Sequence, residues 1–214
     1  MSRFGNLTSD VNLKQAFSNF LNVLEQSLKN SKTGEEKVLE CKGLISSIPL
    51  SILLQQLTPA VPSILVERVK SLKFRNTAIA YLIVESGNLF PDQCIYINDA
   101  NIPLGRVTNF ANWSKDMVPN SHQTPLCCEY WCDFGDSTWQ QSEAELLVQA
   151  EQDLRTIGLL PEAKVSGGFV VKLARTHPIY AVNYQEALSE VNDYLNQFEN
   201  LDIIGRYGAF KYHD

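Results

Sequence analysis

The chain has 214 residues, enough for one large domain or two smaller lobes, and its 44% hydrophobic and 20% charged residues are typical of a folded globular protein. Its net charge of −6 and its 18 scattered lysines and arginines argue against a protein that binds nucleic-acid phosphates. The sequence has no apolar run of about 18 residues and no apolar signal-peptide core, so we expect a soluble, cytoplasmic protein with no membrane span.

The N-terminal part of the chain is predicted to combine helices with one strand. Apolar residues between Asp10 and Asn30 follow a 3.6-residue period, which predicts an amphipathic helix. A strand is predicted over Lys37–Leu50. Two short helices are expected after it, over Leu50–Leu57 and Ser63–Leu72, because Pro62 suits the first turn of a helix.

The middle of the chain is predicted to be rich in strands. Turns containing Gly, Asn, Asp and Pro separate four short segments of strand-like composition, and this spacing indicates antiparallel neighbours. The four predicted strands are Thr77–Val84, Gln93–Asn98, Leu104–Phe110 and Pro125–Cys132.

Helices and strands alternate in the C-terminal part. Ser142 and Glu145 have the spacing of a capping box, which predicts that a helix starts there and ends at Gly158. A strand is expected over Gly168–Ala174, and an apolar stripe from Tyr184 to Phe198 predicts another helix. A short buried strand, Leu201–Ile204, follows. The fold class predicted from these elements is therefore α+β, with an antiparallel or mixed sheet and flanking helices.

The five cysteines form no C-x-x-C pair, and their odd number argues against a disulfide framework. Cys127, Cys128 and Cys132 lie near His122, which raises the question of a metal site. Neighbouring residues of a strand point to opposite faces, so Cys127 and Cys128 would diverge. We therefore predict buried, unreactive thiols and no metal site.

The turn Gly205-Arg206-Tyr207-Gly208 follows the last predicted strand. Two glycines three residues apart permit close backbone approach and unusual dihedral angles, so such a turn can contact a ligand. The spacing alone is weak evidence, because a tight turn with a solvent-exposed arginine has the same pattern.

Several segments together are more specific than this turn. They are Ser46–Leu50, Phe90–Tyr96, Gly105–Ser114, Glu129–Tyr130, Arg175–Tyr180 and Gly205–Tyr212. In composition and order these segments resemble the C-terminal half of FAD-dependent amine-oxidase-like proteins, a group related to protoporphyrinogen oxidase and UDP-galactopyranose mutase. The resemblance covers about Glu40 to Asp214.

The resemblance implies three segments with different roles. Residues 1–58 would hold the N-terminal helix and part of an FAD domain, residues 59–182 an α+β substrate domain, and residues 183–214 a helix and the flavin-contacting end. Gly205, Arg206, Tyr207 and Gly208 would then lie on the cofactor side. The residues expected on the substrate side are Arg175, Tyr180, Tyr184, Arg106 and Trp113.

Two departures from the family pattern bear on function. The family binds its dinucleotide through a strand, a G-x-G-x-x-G turn and a helix, and this sequence has no such motif. The family also continues beyond the position of Tyr212 into a turn and helix that cover the flavin. We therefore expect the Rossmann nucleotide-binding half to be absent, FAD to bind poorly to this chain alone, and the chain to be part of a larger unit.

The candidate side chains also have structural interpretations. Arg175, with Tyr180 and Tyr184, would present a cation and phenols to an anionic or ring-bearing small-molecule substrate, whereas a structural ion pair with an aromatic core explains the same pattern. His177 has no identifiable carboxylate partner, so a surface or hydrogen-bonded histidine is expected. Asp133 and Asp136 fit a solvated turn. No catalytic residue is identified.

Three functional hypotheses follow. The leading one is the substrate-domain portion of an FAD-dependent oxidoreductase, in which the flavin carries out the redox step. The second is a fragment of a flavin-dependent sugar-nucleotide mutase. The third is a non-catalytic remnant or interaction module, and in each case a complementing polypeptide or a second copy of the chain is a partner to consider. Whether the chain is itself an enzyme is left open by the sequence.

Overall fold

The computed structural model describes residues 12–15, 24–29, 34–87, 89–118, 120–160 and 162–212. The chain divides into two compact units. The first unit is discontinuous and consists of Met1–Lys73 and His177–Asp214, and the second is Phe74–Thr176. The second unit lies inside the predicted segment 59–182. What each segment does stays a prediction.

The N-terminal sheet of the first unit is built from short strands. In this sheet β1 (Asn12–Gln15) is antiparallel to β2 (Leu24–Lys29), which is antiparallel to β3 (Glu36–Cys41). After β4 (Leu44–Ser46) and α1 (Leu50–Gln56), the strand β5 (Leu57–Thr58) runs parallel to β1.

The predicted helix over Asp10–Asn30 is wrong for the described residues of that segment. Residues 12–15 and 24–29 are extended and paired with neighbouring strands. A spacing of four residues, as between Leu24 and Leu28, fits the two-residue period of a strand as well as the period of a helix. The apolar spacing was therefore compatible with both a helix and a strand. The pairing of β2 with β3, which lies later in the chain, gives this segment its extended conformation.

The other N-terminal elements agree with their predictions more closely. The helix predicted over Leu50–Leu57 is α1, and the helix predicted from Ser63 is α2 (Ser63–Lys70), with Pro62 immediately before its first residue. Within the predicted strand Lys37–Leu50 the chain instead forms two strands, β3 and β4.

The second unit is organised around a five-stranded sheet. Its strands are β6 (Phe74–Val84), β7 (Cys94–Tyr96), β8 (Arg106–Asn109), β9 (Thr124–Cys132) and β10 (Val165–Pro178), which continues two residues past the unit, and their order is β10-β6-β9-β8-β7. The pairs β6–β9, β9–β8 and β8–β7 are antiparallel, as the turn spacing predicted. Two helices follow β9, α3 (Ser137–Gln140) and α4 (Glu143–Thr156).

The core of this unit lies between one face of the sheet and α4. Ser142 caps α4 in the predicted capping box, and α4 contributes the buried side chains of Leu146, Ala150 and Leu154. The Tyr130 hydroxyl donates a hydrogen bond of 2.9 Å to Asp153 Oδ2, while Gln149 donates to Asp153 Oδ1 at 2.8 Å. Burial raises the pKa of the Tyr130 phenol. The carboxylate of Asp153 is therefore buried with partners for both oxygens.

The C-terminal part of the first unit contains α5 (Tyr184–Leu195), β11 (Leu201–Ile203) and the one-turn helix α6 (Gly205–Gly208). The strand β11 runs parallel to β4, pairing Leu201 with Leu44. Both the helix from Tyr184 and the strand from Leu201 were predicted. None of the helices among the described residues has the length and apolar character needed to cross a membrane.

Candidate functional site

The Gly205–Gly208 turn begins where the parallel strands β4 and β11 end. The Ile204 N–H donates a hydrogen bond of 2.9 Å to the Ser46 carbonyl, and Gly205 has φ of +75°. A left-handed φ favours glycine, because a side chain is strained there. A Cβ at Gly208 would lie 3.0 Å from the Ser46 oxygen and 3.1 Å from Ile203 Cγ2, so glycine permits closer packing here than a larger residue would. Glycine is thus favoured at position 205 by the backbone dihedral angle and at position 208 by close packing.

Space remains beside Gly205. A Cβ placed there would have one neighbour within 4 Å in the part of the chain that the structure describes, Ser47 Cβ at 3.5 Å. A planar group can therefore approach the Gly205 backbone closely, which is the property that a cofactor ring would use.

Arg206 is held by aromatic neighbours of its own unit. Its Nη1 lies 3.5 Å from His177 Nδ1, and its guanidinium carbon lies 5.3 Å from the centre of the Tyr212 ring. The rings of His177 and Tyr212 stack at 5.9 Å with planes 22° apart. Such contacts restrain a long side chain and keep its positive charge near the turn. Tyr207, the next residue of α6, is half-buried.

The phenols of Tyr180 and Tyr184 belong to the same cluster of rings. Tyr180 stacks on Tyr184 at 4.6 Å, and its hydroxyl accepts a hydrogen bond of 2.9 Å from the Tyr212 N–H. Phe210 is buried beneath them, with ring centres about 6 Å from both tyrosines. Burial raises the pKa of the Tyr212 phenol, which the nearby Arg206 partly offsets.

These contacts bring three of the predicted residues together, Arg206, Tyr180 and Tyr184. The residues that join them, His177 and Tyr212, were not among the predicted site residues. Tyr212 follows Tyr180 by 32 residues in sequence. No local periodicity links positions so far apart, although both lie in segments that carry the family resemblance.

Arg175 lies on β10, in the second unit. It has φ of +60°, and its N–H donates a hydrogen bond of 2.9 Å to the side chain of Asn76, which is buried. A non-glycine residue at this φ is strained and is held there by its surroundings. The side chain is exposed, and among the described residues the structure gives its guanidinium no ion pair. The charge is thus available to an anion in solvent.

Arg106 has a different environment, because its charge is already matched. The Arg106 Nε and Nη2 donate hydrogen bonds to the Glu129 carboxylate, at 3.0 Å from Nε and at 2.6 Å from Nη2 to each oxygen. Its Nη1 donates to the Tyr96 hydroxyl at 3.1 Å. Burial disfavours the charged guanidinium and is the largest single influence, but the hydrogen bonds and charge interactions with Glu129 and Tyr96 together outweigh it and raise the pKa of Arg106.

The sequence predicted that Arg106 lies on the substrate side, but it did not identify Glu129 as the ion-pair partner of Arg106. The two residues are directly opposite each other in the β8–β9 register, 23 positions apart. Only the pairing of these strands reveals the contact.

Trp113 follows the 3-10 helix Phe110–Asn112 at the far end of β8. The residue is 58% exposed, and its Nε1 donates a hydrogen bond of 3.3 Å to the Gln93 carbonyl. The contacts among the described residues do not connect Trp113 with Arg106. The structure therefore does not bring these two predicted residues into one group.

The cysteines of β9 point to opposite sides of the sheet, as their adjacency predicted. Cys127 pairs with Thr108 and Tyr81, whereas Cys128 pairs with Val107 and Ala80 on the core side. Burial raises the pKa of the Cys127 thiol to about 12, and it raises that of Cys128 as well. Both thiols are therefore protonated and unreactive at neutral pH.

Within the described ranges, no group of three or more His, Cys, Asp or Glu side chains is placed to bind a metal. No protein-family model matches the sequence, and no curated protein sequence matches it significantly. The fold nevertheless matches solved structures.

Two of these structures are informative. A crystal structure of reduced UDP-galactopyranose mutase matches with a TM-score of 0.69 at 20% sequence identity, over 87% of this chain and 39% of that one. A protein from Exiguobacterium sp. 255-15, assigned as a protoporphyrinogen oxidase, gives a TM-score of 0.65 at 16% identity, over 92% of this chain and 42% of that one.

These matches confirm the predicted resemblance at the level of the fold. The chain has the α+β fold of a part of both proteins and spans about two fifths of their length. At these identities the likeness concerns architecture, and what the chain binds or catalyses must be argued from its own residues.

Proposed function

We propose that this chain is the substrate-domain portion of an FAD-dependent oxidoreductase of the amine-oxidase-like class and is not active alone. In this proposal Gly205, Arg206, Tyr207 and Gly208 contact the flavin. The residues that contact the substrate are Arg175, Tyr180, Tyr184, Arg106 and Trp113.

The observation that carries the proposal is the Gly205–Gly208 turn at the carboxyl ends of two parallel strands. Ligands of open α/β sheets bind outside the carboxyl ends of the strands. The left-handed φ of Gly205 leaves its backbone open to a planar group, and Arg206 is restrained beside it by His177 and Tyr212. These features fit a ring-bearing cofactor.

The flavin, when bound, supplies the redox chemistry, and the residues of this chain bind and orient. Arg206 provides positive charge near the turn. The stacked phenols of Tyr180 and Tyr184 provide a flat, partly polar surface on the same cluster. The exposed guanidinium of Arg175 provides an anion contact. None of these groups has to transfer a proton, which agrees with the absence of a recognised acid–base pair in the sequence.

Riboflavin tests this proposal, because it carries the flavin ring without the nucleotide. We expect weak binding, measured as quenching of riboflavin fluorescence, and we expect Gly205→Ala to weaken it about tenfold, or about 1.4 kcal/mol. Gly158→Ala is the matched control, since Gly158 has φ of +77° at the end of α4. Both substitutions strain the backbone, but only the one at Gly205 should change binding. Equal affinity in both variants, or no binding to the wild type, would refute the flavin contact.

A sugar-nucleotide mutase is the second candidate, and the exposed Arg175 guanidinium favours it because nucleotide phosphates need such a cation. A mutase returns its flavin to the starting redox state, so turnover would consume no electron acceptor. Acceptor consumption by the assembled enzyme would exclude this candidate.

A further inference from the structure

The strand β11 has one free edge. In the part of the chain that the structure describes, β11 pairs with β4 in a sheet of two strands. The Asn200 carbonyl and the Ile204 N–H, at the two ends of β11, form hydrogen bonds of 2.8 and 2.9 Å to β4. Successive residues of a strand direct their backbone N–H and C=O groups to opposite sides. The Leu201 carbonyl and both backbone groups of Ile203 therefore face away from β4.

A cavity of about 330 Å³ lies along this free edge. Three consecutive residues, Leu201, Asp202 and Ile203, line it, although successive side chains of a strand point to opposite faces. A space that contacts both faces of a strand lies at the edge of that strand. The cavity is therefore a groove between the edge of β11 and the end of α5, and its other lining residues are Asn192, Leu195, Asn196 and Ala209.

Hydrogen-bonding groups follow the whole groove. Among the described residues, neither the Leu201 carbonyl nor the Ile203 N–H has a hydrogen-bond partner. Asn192 and Asn196 are one helical turn apart on α5, and their side-chain amides can both donate and accept. An extended peptide has N–H and C=O groups that alternate at the spacing of a strand edge, and such peptides add to free edges as an extra strand. The groove thus matches a peptide backbone.

The charge beside this edge narrows the choice of peptide. Asp202 is opposite Ile45 in the register and is exposed. No described residue forms an ion pair with its carboxylate. A strand added to β11 would place one side chain directly beside Asp202 on the same face, where an opposite charge stabilises the pair and a like charge destabilises it. The added strand should therefore carry a basic residue at this position.

We propose that the free edge of β11 binds an extended segment from outside these 214 residues, with a lysine or arginine beside Asp202. The segment pairs in parallel, because sheets of a single type are over-represented and β4 and β11 are already parallel. In this pairing the basic residue donates its backbone N–H to the Leu201 carbonyl and accepts from the Ile203 N–H. The inference rests on the proposed function only in taking this segment as part of the polypeptide that completes the enzyme.

The probe is the peptide acetyl-Gly-Thr-Lys-Thr-Gly-amide, in which threonine suits a strand and can form hydrogen bonds with the asparagines of α5. Binding is followed by the amide chemical shifts of the isotope-labelled full chain, above all at Ile203. We expect the peptide to shift the Ile203 signal. Replacing its lysine by glutamate should weaken binding about threefold. Absence of a shift at Ile203, or equal binding of the two peptides, would overturn the proposal.

Two methylated peptides test the pairing itself. N-methylation of the lysine amide removes the donor to the Leu201 carbonyl and should weaken binding about fivefold. N-methylation of the threonine amide that follows is the control, because that N–H points away from β11 in a parallel pair. Equal weakening by the two methyl groups, or a larger effect of the control, would contradict parallel pairing.

Two variants of the chain test the charge. Asp202→Asn should remove the preference for the lysine peptide over the glutamate peptide. Asp193→Asn is the matched control, since it removes the same charge from an exposed residue of α5 outside the groove lining, and it should keep the preference. A preference that persists in Asp202→Asn would contradict the role of this carboxylate. Ile203 shifts that depend on protein concentration without peptide would assign the edge to a second copy and overturn the choice of partner.

The peptide titration and the riboflavin titration are independent. Riboflavin has no peptide backbone, and its contact is tested by the substitution at Gly205. The peptides are tested by their own backbone and by Asp202. Either ligand can fail to bind while the other binds, so the failure of one proposal is distinguishable from the failure of the other.

Discussion

The five-stranded sheet and the β4–β11 pair differ in how far their apolar side chains are buried. One face of the five-stranded sheet is closed by α4, and its side chains Leu82, Cys128 and Tyr130 are at most 1% exposed. The β4–β11 pair is parallel, yet Ile45 on β4 is 65% exposed and Ile204 after β11 is 50% exposed. Parallel sheets are normally covered on both faces.

This difference predicts different effects of substitution in the two regions. The five-stranded unit has a closely packed core, so substitutions in that core should mainly change the free energy of unfolding. On β4 and β11 themselves two described residues are buried, Ser46 and Leu201, and the Gly205 turn is positioned by hydrogen bonds and glycine conformation. Substitutions there should mainly change what the chain binds. Substitutions in the two regions test this contrast, from the largest expected effect on stability to the smallest.

The largest effect is expected at the core side of α4. Leu154→Ala should lower the free energy of unfolding by about 2–5 kcal/mol, because a fully buried leucine is lost and a cavity remains. Val148→Ala on the same helix is the control, since Val148 is 56% exposed and should change stability by about 0.5 kcal/mol or less. Urea unfolding followed by tryptophan fluorescence measures both. Similar costs in the two variants would contradict the assignment of the core.

The second effect depends on pH and concerns three buried groups of β9, two on the core side of the sheet and one on its other face. Burial raises the pKa of Cys127 from 9.0 to about 12 and also raises the pKa values of Cys128 and Tyr130. Above pH 9 the unfolded chain loses protons that the folded chain retains, so stability is complete below about pH 9 and decreases as the pH rises toward 12.

Unfolding in urea at pH values from 7 to 10.5 measures this decrease. Cys128→Ala should make the decrease less steep, because one of the groups with a raised pKa is removed. A free energy of unfolding that stays constant up to pH 10.5 would contradict the burial of these groups.

The smallest effect on stability is expected at β4. Ile45→Thr should change the free energy of unfolding by about 0.5 kcal/mol or less, because the side chain is mostly in solvent and threonine retains the branched shape preferred in strands. Ile79→Thr is a matched comparison in the five-stranded sheet, where Ile79 is 9% exposed, and its cost should be clearly larger. The reverse order would contradict the comparison of the two regions.

The sequence correctly predicted the helices that are determined by residues close to one another in the chain. The capping box of Ser142 and Glu145, the proline before α2 and the apolar stripe of α5 each act within a few residues, and each prediction is confirmed. The segment Asp10–Asn30 failed because its apolar spacing fits two periods, and pairing with a later strand determined the outcome.

The candidate site was predictable only in part for the same reason. A glycine in a predicted turn is a candidate for a left-handed φ or for close packing against the backbone. Gly205 and Gly208 were predicted as site residues for this reason, and the structure shows a left-handed φ at Gly205 and close packing at Gly208. The partners of the charged residues depend on which strands and segments meet. Glu129 beside Arg106 and Tyr212 beside Arg206 are contacts of tertiary structure, which no spacing within one element encodes.

We propose that this chain contacts the ring of a flavin, whereas its sequence has no G-x-G-x-x-G turn to bind the phosphates. Comparing the affinities of riboflavin and FAD for the wild-type chain tests this most directly, because the two ligands share the ring and differ in the phosphates and adenosine. The account predicts weak binding of both, with affinities within about fivefold of each other, or about 1 kcal/mol. FAD binding a hundredfold more tightly than riboflavin would contradict the account, since a phosphate-binding site would then lie within these 214 residues.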